Sequence, residues 1–376
     1  MHVLLDATAI PADRGGVGRY VDELVPQLAR AGVDLTIVSQ ERDAQLFTDL
    51  APGATIEPVP RAYEARPRRL LWEQTGLPCL IRKVRPDVVH SPHYTMPLAT
   101  RTPVVVTLHD ATFFTTPELH LASKARFFRA WIRVSSRRAA ALLTPSKATR
   151  NEVVRLVGAD PARFHVAYHG VDHQRFFAVP PAEAARVRAT LDIGPKQYVG
   201  FLGTLEPRKN VPALIRAWVA ACAQRDADDA PALVLAGGKG WDSEIDRAIA
   251  EVPAGLTLKR PGYLPLADLP GFLAGAQVLA YPSLGEGFGL PVLEAMACGA
   301  TVLTTRELSL PEVGGDAVAY CGTDVRSIAT ELRSLLDDPA RRRSLAAAAQ
   351  ARAAQFTWAA AAEAHVAAYE AALKKR

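Results

Sequence analysis

The sequence predicts an α/β protein made of two doubly wound halves, and three observations carry that prediction. The chain has 376 residues, beyond the size at which one core usually stops growing, so two domains are expected. Apolar runs of strand length alternate with amphipathic helical stretches, the pattern of a parallel sheet covered by helices on both faces. The alternation halts at residues 178–196, AVPPAEAARVRATLDIGPK, where prolines stand and no strand pattern is visible, and then it begins again.

In the first half the expected strands are HVLLDAT, DLTIVSQ, DVVHS, PVVVTLHD, ALLTPS and FHVAYH, with helices near 17–31, 70–84, 121–138 and 146–157. In the second half they are QYVGFLGT, ALVLAGG, LTLKR, QVLAYPS and TVLTTR, with helices near 210–224, 243–251, 266–275 and 289–298. The expected boundaries follow: a first domain over 1–177, a linker over 178–196, a second domain over 197–355, and a helix over 356–376 packing back toward the first domain. Sheets of this kind bind ligands beyond the carboxyl ends of their strands, so two such halves are expected to share a cleft. No repeat of solenoid period is present.

Composition narrows the class. Hydrophobic residues make up 49% of the chain and charged residues 22%, which suits a globular protein rather than a disordered one. No apolar run approaches the roughly 20 residues that span a bilayer. The opening MHVLLDATAIPADRGG has no positive leader and reads as a first strand. Cys79, Cys222, Cys298 and Cys321 form no paired spacing, so a reduced, cytosolic setting is the simplest reading. The net charge of +5 is uneven: residues 1–175 hold 23 Lys/Arg against 17 Asp/Glu, and residues 176–376 hold 21 against 22. A basic first half points to nucleic acid or to an anionic membrane surface.

The most informative stretch is EGFGLPVLEAMACG, residues 286–299. Gly285, Gly287 and Gly289 let the backbone turn tightly and approach a ligand closely. A helix is expected to start between Gly289 and Pro291, since proline suits a first turn, and free N–H groups there suit an anion such as phosphate. Glu286 stands at the mouth of this turn, and Glu294 lies over a turn deeper, roughly 10 Å away at 1.5 Å per residue. That separation is long for a glycosidase acid pair and suits the two ends of a sugar nucleotide. The plainer alternative is two unrelated acids at a helix start.

A second stretch, GTLEPRKN at 203–210, places Arg208 and Lys209 after the first strand of the second half, before a helix expected to be capped by Asn210. Two cations at a strand's carboxyl end could stabilise a pyrophosphate leaving group; taken alone, the turn also reads as a solvated basic loop. In RGGVGRY, 14–20, a glycine loop opens a helix but lacks the third glycine of a dinucleotide fingerprint. In TLHD, 107–110, His109 ends a strand. Ser146, in TPSKATRNEV, reads as a helix cap.

Residues 123–138, SKARFFRAWIRVSSRR, gather Phe127, Phe128, Trp131 and Ile132 on one helical face beside Lys124, Arg129, Arg133, Arg137 and Arg138. That is the composition of a membrane-surface helix, and the plainer, favoured reading is a core helix with a solvated basic face.

The E-x7-E arrangement of EGFGLPVLEAMACG resembles the signature of the family-four retaining glycosyltransferases of the GT-B fold, and the resemblance covers nearly the whole chain. It implies two Rossmann-like domains facing across a cleft. It implies that Glu286 contacts hydroxyls of the transferred sugar near its reaction centre, and that Glu294 holds the ribose. Backbone at Phe288, Gly289 and Leu290 would lie around the sugar and distal phosphate, and Arg208 and Lys209 would meet the diphosphate. Gly15 and Gly16 would neighbour the diphosphate on the acceptor side, and His109 would contact the donor sugar and be needed for transfer. The family more often has Asn where His169 stands, so that position is assigned no role.

The resemblance further implies transfer of a hexose from a nucleotide-diphosphate sugar to a hydroxyl of a glycan, lipid-linked or small-molecule acceptor. GDP-mannose is the first expectation, with UDP-glucose or UDP-N-acetylglucosamine next. The expected mechanism is front-face transfer, in which the leaving phosphate deprotonates the acceptor. No cofactor is expected. No metal is expected either: the one Asp-x-Asp string, Asp226-Ala227-Asp228, reads as a solvated turn, and Arg208, Lys209 and a helix N-terminus can replace a cation. Lipid-linked acceptors favour a membrane surface over nucleic acid as the partner of the basic half, with Phe127, Arg129, Trp131, Arg133 and Arg137 as its contacts and a peripheral cytoplasmic location. A sugar-nucleotide epimerase of the same fold, a nicotinamide dehydrogenase and a two-domain solute-binding protein are the rivals. Replacing Glu286 by alanine is expected to leave the fold intact, because its task is on the sugar.

Overall fold

The computed structural model describes residues 1–117 and 122–374. The chain divides into two units: Met1–Gly170 together with the chain's end from Thr357, and Val171–Phe356.

The first unit is wound on a seven-stranded parallel sheet of order β3-β2-β1-β4-β5-β6-β7. Its strands are β1 His2–Asp6, β2 Asp34–Gln40, β3 Thr55–Val59, β4 Val88–Ser91, β5 Val104–Thr107, β6 Ala141–Thr144 and β7 Phe164–Val166. The helices between them are α1 Gly15–Arg30, α2 Ala44–Leu50, α3 Arg66–Val84, α4 Thr112–Thr115, α5 Ala122–Arg138 and α6 Lys147–Val157. The central strands are buried on both faces, as VVHS and VVVT show, which is why they read as continuous apolar runs rather than alternating ones. Helix α1 buries Tyr20, Val21, Leu24, Val25 and Leu28, one stripe at helical spacing. Ser146 caps α6, its side chain accepting from the Thr149 N–H. The expected helix 121–138 begins at Ala122; Leu121 lies outside the described residues.

The second unit holds a six-stranded parallel sheet of order β10-β9-β8-β11-β12-β13. Helix α7 Pro181–Ala189 precedes β8 Tyr198–Leu202, and α8 Val211–Cys222 leads to β9 Ala232–Ala236. Then come α9 Ile245–Ala250, β10 Leu258–Gly262, α10 Leu269–Gly275, β11 Val278–Tyr281, α11 Leu290–Ala297 and β12 Val302–Thr305. The unit closes with α12 Leu310–Gly314, β13 Ala319–Cys321, α13 Val325–Asp337 and α14 Pro339–Ala353.

Two strands add to the expected set, and two expectations need correction. The edge strands β3 and β13 were not legible: TIEPV is half exposed and carries a proline, and β13 has only three residues. The stretch 178–196 is not a linker, because α7 is a packed helix of the second unit. Val187 is fully buried, and a Cβ on Gly271 would come within 2.6 Å of Val187 Cγ2. The apolar pattern of α7 is too sparse to announce a buried helix. The first unit also ends at Gly170 rather than near 177.

The chain's last helix, α15 Trp358–Leu373, belongs to the first unit. Thr357 caps it by accepting from the Ala360 N–H. Its inward stripe is Trp358, Ala361, Ala362, His365, Ala368, Tyr369 and Ala372, a heptad-like spacing with small residues that let the helix lie close. Residues 375 and 376 of the expected terminal helix lie outside the described residues.

Candidate active site

The second sheet reverses its winding between β8 and β11, and in doubly wound sheets a ligand crevice opens beyond that switch point. The loop leaving β8 carries Arg208 and Lys209, and the loop leaving β11 carries Glu286. Two motifs 77 residues apart are thereby brought together by topology.

They meet in a closed ionic cluster. Glu286 Oε1 accepts from Lys209 Nζ at 2.7 Å, from Ser283 Oγ at 2.6 Å and from the Tyr281 hydroxyl at 3.2 Å. Glu286 Oε2 lies 2.6 Å from Arg208 Nη1. Arg208 also donates to the Gly285 carbonyl and to Glu206, each at 2.6 Å, and Lys209 Nζ donates to the Tyr281 hydroxyl at 2.5 Å. Burial alone would raise the Glu286 pKa, but Arg208 and Lys209 overcome that and hold it at about 2. Burial and the neighbouring Arg208 push Lys209 below its ordinary value, with Glu286 opposing them. At neutral pH the cluster therefore holds a carboxylate between two cations, all largely shielded from water.

The backbone around the cluster is shaped for close approach. Gly289 precedes α11 at φ 103°, a left-handed conformation that favours glycine, and a Cβ there would meet Leu310 Cδ2 at 3.0 Å. Ser309 Oγ lies 2.8 and 2.9 Å from the carbonyls of Glu286 and Phe288, its one proton shared between them, which pins the turn. Leu290 starts α11, Pro291 occupies its first turn and no side chain caps it. Phe288 is buried, and Glu294 is buried on α11 beside Cys298, whose thiol pKa burial and that carboxylate push up. Asn210 stands at the start of α8 as expected, but its side chain does not cap that helix; it donates to the Thr323 carbonyl at 2.8 Å. Asp226 and Asp228 lie in an exposed turn.

In the first unit, Gly15 and Gly16 form the exposed first turn of α1, with no heavy atom within 4 Å of a Cβ placed on either. His109 follows β5. Its Nε2 lies 2.6 Å from the Pro92 carbonyl, which can only accept, so Nε2 carries the proton and Nδ1 is the accepting nitrogen. Burial lowers the His109 pKa, opposed by that hydrogen bond and by Asp110. The neutral ring stands edge-on to Tyr20, with centroids 5.1 Å apart.

The residues expected at a membrane divide. Phe128 stacks on Phe113 at 4.6 Å, and both Phe128 and Trp131 pack on the core of the first unit. Arg129 donates to the Phe113 carbonyl at 2.6 Å. Trp131 and Arg129 are thus engaged by the protein, and Phe127 is half-buried beside Phe128. Arg133 and Arg137 are exposed, with Arg133 lying over the Phe114 ring at 4.9 Å.

Tyr281, Ser283 and Glu206 were not singled out by the sequence. Ser283 and Glu206 stand within three residues of a motif side chain, and that proximity was the available signal. Tyr281 looked like any strand residue.

The chain matches two family models, Glycosyltransferase Family 4 over residues 14–175 and Glycosyl transferases group 1 over residues 185–352. It is 30% identical to the O-antigen chain mannosyltransferase B of Escherichia coli, over 95% of this chain and 96% of that protein. It is 31% identical to a D-inositol 3-phosphate glycosyltransferase of Salinispora tropica, over 92% and 79%. Among solved structures it resembles Anabaena Alr3699/HepE in complex with UDP and glucose, with a TM-score of 0.74 at 19% identity and 98% coverage of each chain. It also resembles the sucrose-phosphate synthase of Thermosynechococcus elongatus, with a TM-score of 0.77 at 20% identity and 98% coverage of each chain. These likenesses establish the GT-B fold.

Proposed function

The chain belongs to the family 4 glycosyltransferases, and from that premise we propose that it moves a hexose from a nucleotide-diphosphate sugar to an acceptor hydroxyl with retention of configuration. The observation that supports this reading most is the pair of cations held on Glu286 beyond the switch point of the second sheet. As the glycosidic bond breaks, the departing diphosphate gains negative charge, and Arg208 and Lys209 are already desolvated and oriented to meet it. In this role Glu286 aligns both cations and offers its carboxylate to the sugar once the diphosphate shares their charge. Glu294 would bind the ribose, the backbone of Phe288, Gly289 and Leu290 the sugar and distal phosphate, and Gly15 and Gly16 the diphosphate.

His109 is assigned the donor-sugar contact, with Nδ1 accepting from a sugar hydroxyl. The acceptor hydroxyl attacks the anomeric carbon on the face the diphosphate leaves, and its proton passes to the leaving phosphate oxygen. The enzyme then needs no nucleophile of its own, and an α-linked donor gives an α-linked product. With two protein cations on the leaving group, a divalent metal is not required.

GDP-mannose is the proposed donor, supported by the mannosyltransferase of Escherichia coli; a UDP-sugar is the second reading, favoured by the complex of the Anabaena neighbour with UDP-glucose. A glycan or lipid-linked acceptor at a cytoplasmic membrane face would suit the exposed arginines of α5. No described helix is long and apolar enough to cross a membrane. Thermal shift and donor hydrolysis across GDP-mannose, UDP-glucose and UDP-N-acetylglucosamine test the donor. Selective stabilisation and turnover with GDP-mannose are expected, and selectivity for a UDP-sugar would replace that assignment.

A further inference from the structure

We infer that α15 positions His109 through Tyr20, and that the coupling runs along a one-directional chain of buried hydrogen bonds. The inference rests on the assignment of His109 to the reaction.

The orientation of the chain follows from counting hydrogens. His365 Nδ1 lies 2.6 Å from the carbonyl of Ala361, one turn earlier on α15. A carbonyl cannot donate, so Nδ1 holds the proton of the neutral ring and Nε2 must accept. The group at Nε2 is the Tyr20 hydroxyl, 2.6 Å away, so Tyr20 gives its one proton there. Tyr20 can then only accept from Thr107 Oγ1 at 3.1 Å. With its proton used, Thr107 accepts from His90 Nε2 at 2.9 Å, and His90 Nδ1 in turn accepts from the Tyr369 hydroxyl at 2.9 Å.

The chain therefore starts on α15 at Tyr369, crosses β4 and β5, reaches α1 at Tyr20 and returns to α15 at His365. All five side chains are buried. Burial leads the lowering of both histidine pKa values, His365 to about 4 and His90 well below its ordinary value, so the neutral rings that the count requires are those present at neutral pH.

Two links of this chain bear on His109. Thr107 is two residues before it on the same strand end, and Tyr20 presses its ring edge-to-face on the imidazole. A second path runs from α15 through stacked rings. Trp358 stacks on His169 at 5.5 Å, and His169 lies 4.9 Å from Tyr20. Tyr20 is where both paths converge, and its ring is one wall of the His109 site. Its hydroxyl, held between His365 and Thr107, sets how far that wall can rotate. Tyr20 and His365 are positioning residues, since neither has been placed on the substrate.

The test uses the full-length enzyme with Tyr20→Phe, His365→Phe, the double variant and His109→Ala. Tyr20→Phe retains the ring and loses only the hydroxyl. Each single variant is expected to lower kcat about tenfold, the effect of a lost bond to a buried partner, with donor KM unchanged. The double variant should lose no more than one single, because both remove the same link. Independently of any variant, nitrogen-15 spectra of the native protein's histidines should show Nδ1–H in His365 and Nε2–H in His90 and His109. Unchanged kcat in folded Tyr20→Phe, additive losses in the double variant, or the opposite tautomer in His365 or His90 would each overturn the inference. If His109→Ala itself retains full turnover, the fault lies instead in the assignment of His109.

Discussion

Lys209 Nζ sits 2.7 Å from Glu286 Oε1, and the other oxygen of that carboxylate is held by Arg208 at 2.6 Å. Glu286 is therefore a structural counterion as well as the proposed sugar-binding group. Removing one partner of a buried ion pair leaves uncompensated charge and costs about 3–5 kcal/mol. Glu286→Ala should abolish transfer and also destabilise the second unit by that order, contrary to the expectation from sequence that the fold would be untouched. Glu286→Gln, which keeps the shape and some of the hydrogen bonds, should lose activity with a smaller stability loss. Urea unfolding of both variants checks this; an unfolding midpoint for Glu286→Ala equal to wild type would show that the ion pairs contribute nothing.

The same cluster sets an acid limit. Glu286 has its pKa held at about 2, against an ordinary 4.5. Its folded pKa is depressed, so its contribution to stability is full above about pH 4.5 and is lost as pH falls toward 2. His365 acts earlier. Its pKa is lowered from 6.5 to about 4, so the unfolded chain takes up the proton first. Its contribution is full above about pH 6.5 and fades as pH falls toward 4. Protection factors in α15, corrected for the pH dependence of intrinsic amide exchange, should fall between pH 6.5 and 4, before those of the loops at Arg208 and Glu286. Simultaneous loss of protection in both regions would contradict the assignment.

Transfer should persist in excess chelator, because in the proposed mechanism Arg208 and Lys209 meet the leaving diphosphate. Turnover of the donor that stops with chelator and resumes with magnesium or manganese would place a metal in the reaction.

The exposed arginines of α5 predict weak, salt-sensitive binding to anionic vesicles, since basic groups near such a surface contribute about 1 kcal/mol each and are screened by salt. Co-sedimentation of wild type with an Arg133→Ala/Arg137→Ala variant measures it. Binding by wild type, reduced in the variant and at higher salt, is expected. Absence of binding, or equal binding by both, would leave α5 as a core helix with a solvated basic side.

Much of this was legible in the sequence because it is local. Strand runs such as VVVT and LVLA, the glycine-bounded Glu286 and the adjacent Arg208 and Lys209 each announce themselves within a few residues. What was not legible is what topology creates. The pairing of Glu286 with two cations depends on β8 and β11 becoming neighbours. Asn210 finds its partner at Thr323 rather than within its own helix. Tyr20 and His365 are 345 residues apart, and no local spacing could join them. Helix α7 was missed for the opposite reason: its burial rests on Val187 against a bare glycine, too little apolar pattern to signal a helix.

Calorimetry tests whether Arg208 and Lys209 hold the diphosphate of a nucleotide sugar. Wild type, Arg208→Ala and Lys209→Met would each be titrated with GDP, UDP and the matching nucleosides, after folding is verified by circular dichroism. Hydrogen bonds to charged groups contribute about 1.5–3 kcal/mol, so each variant should bind its preferred nucleoside diphosphate at least tenfold more weakly while its nucleoside affinity stays near wild type. Diphosphate affinity unchanged in both variants, or equal losses for diphosphate and nucleoside, would exclude Arg208 and Lys209 as the groups that hold the diphosphate.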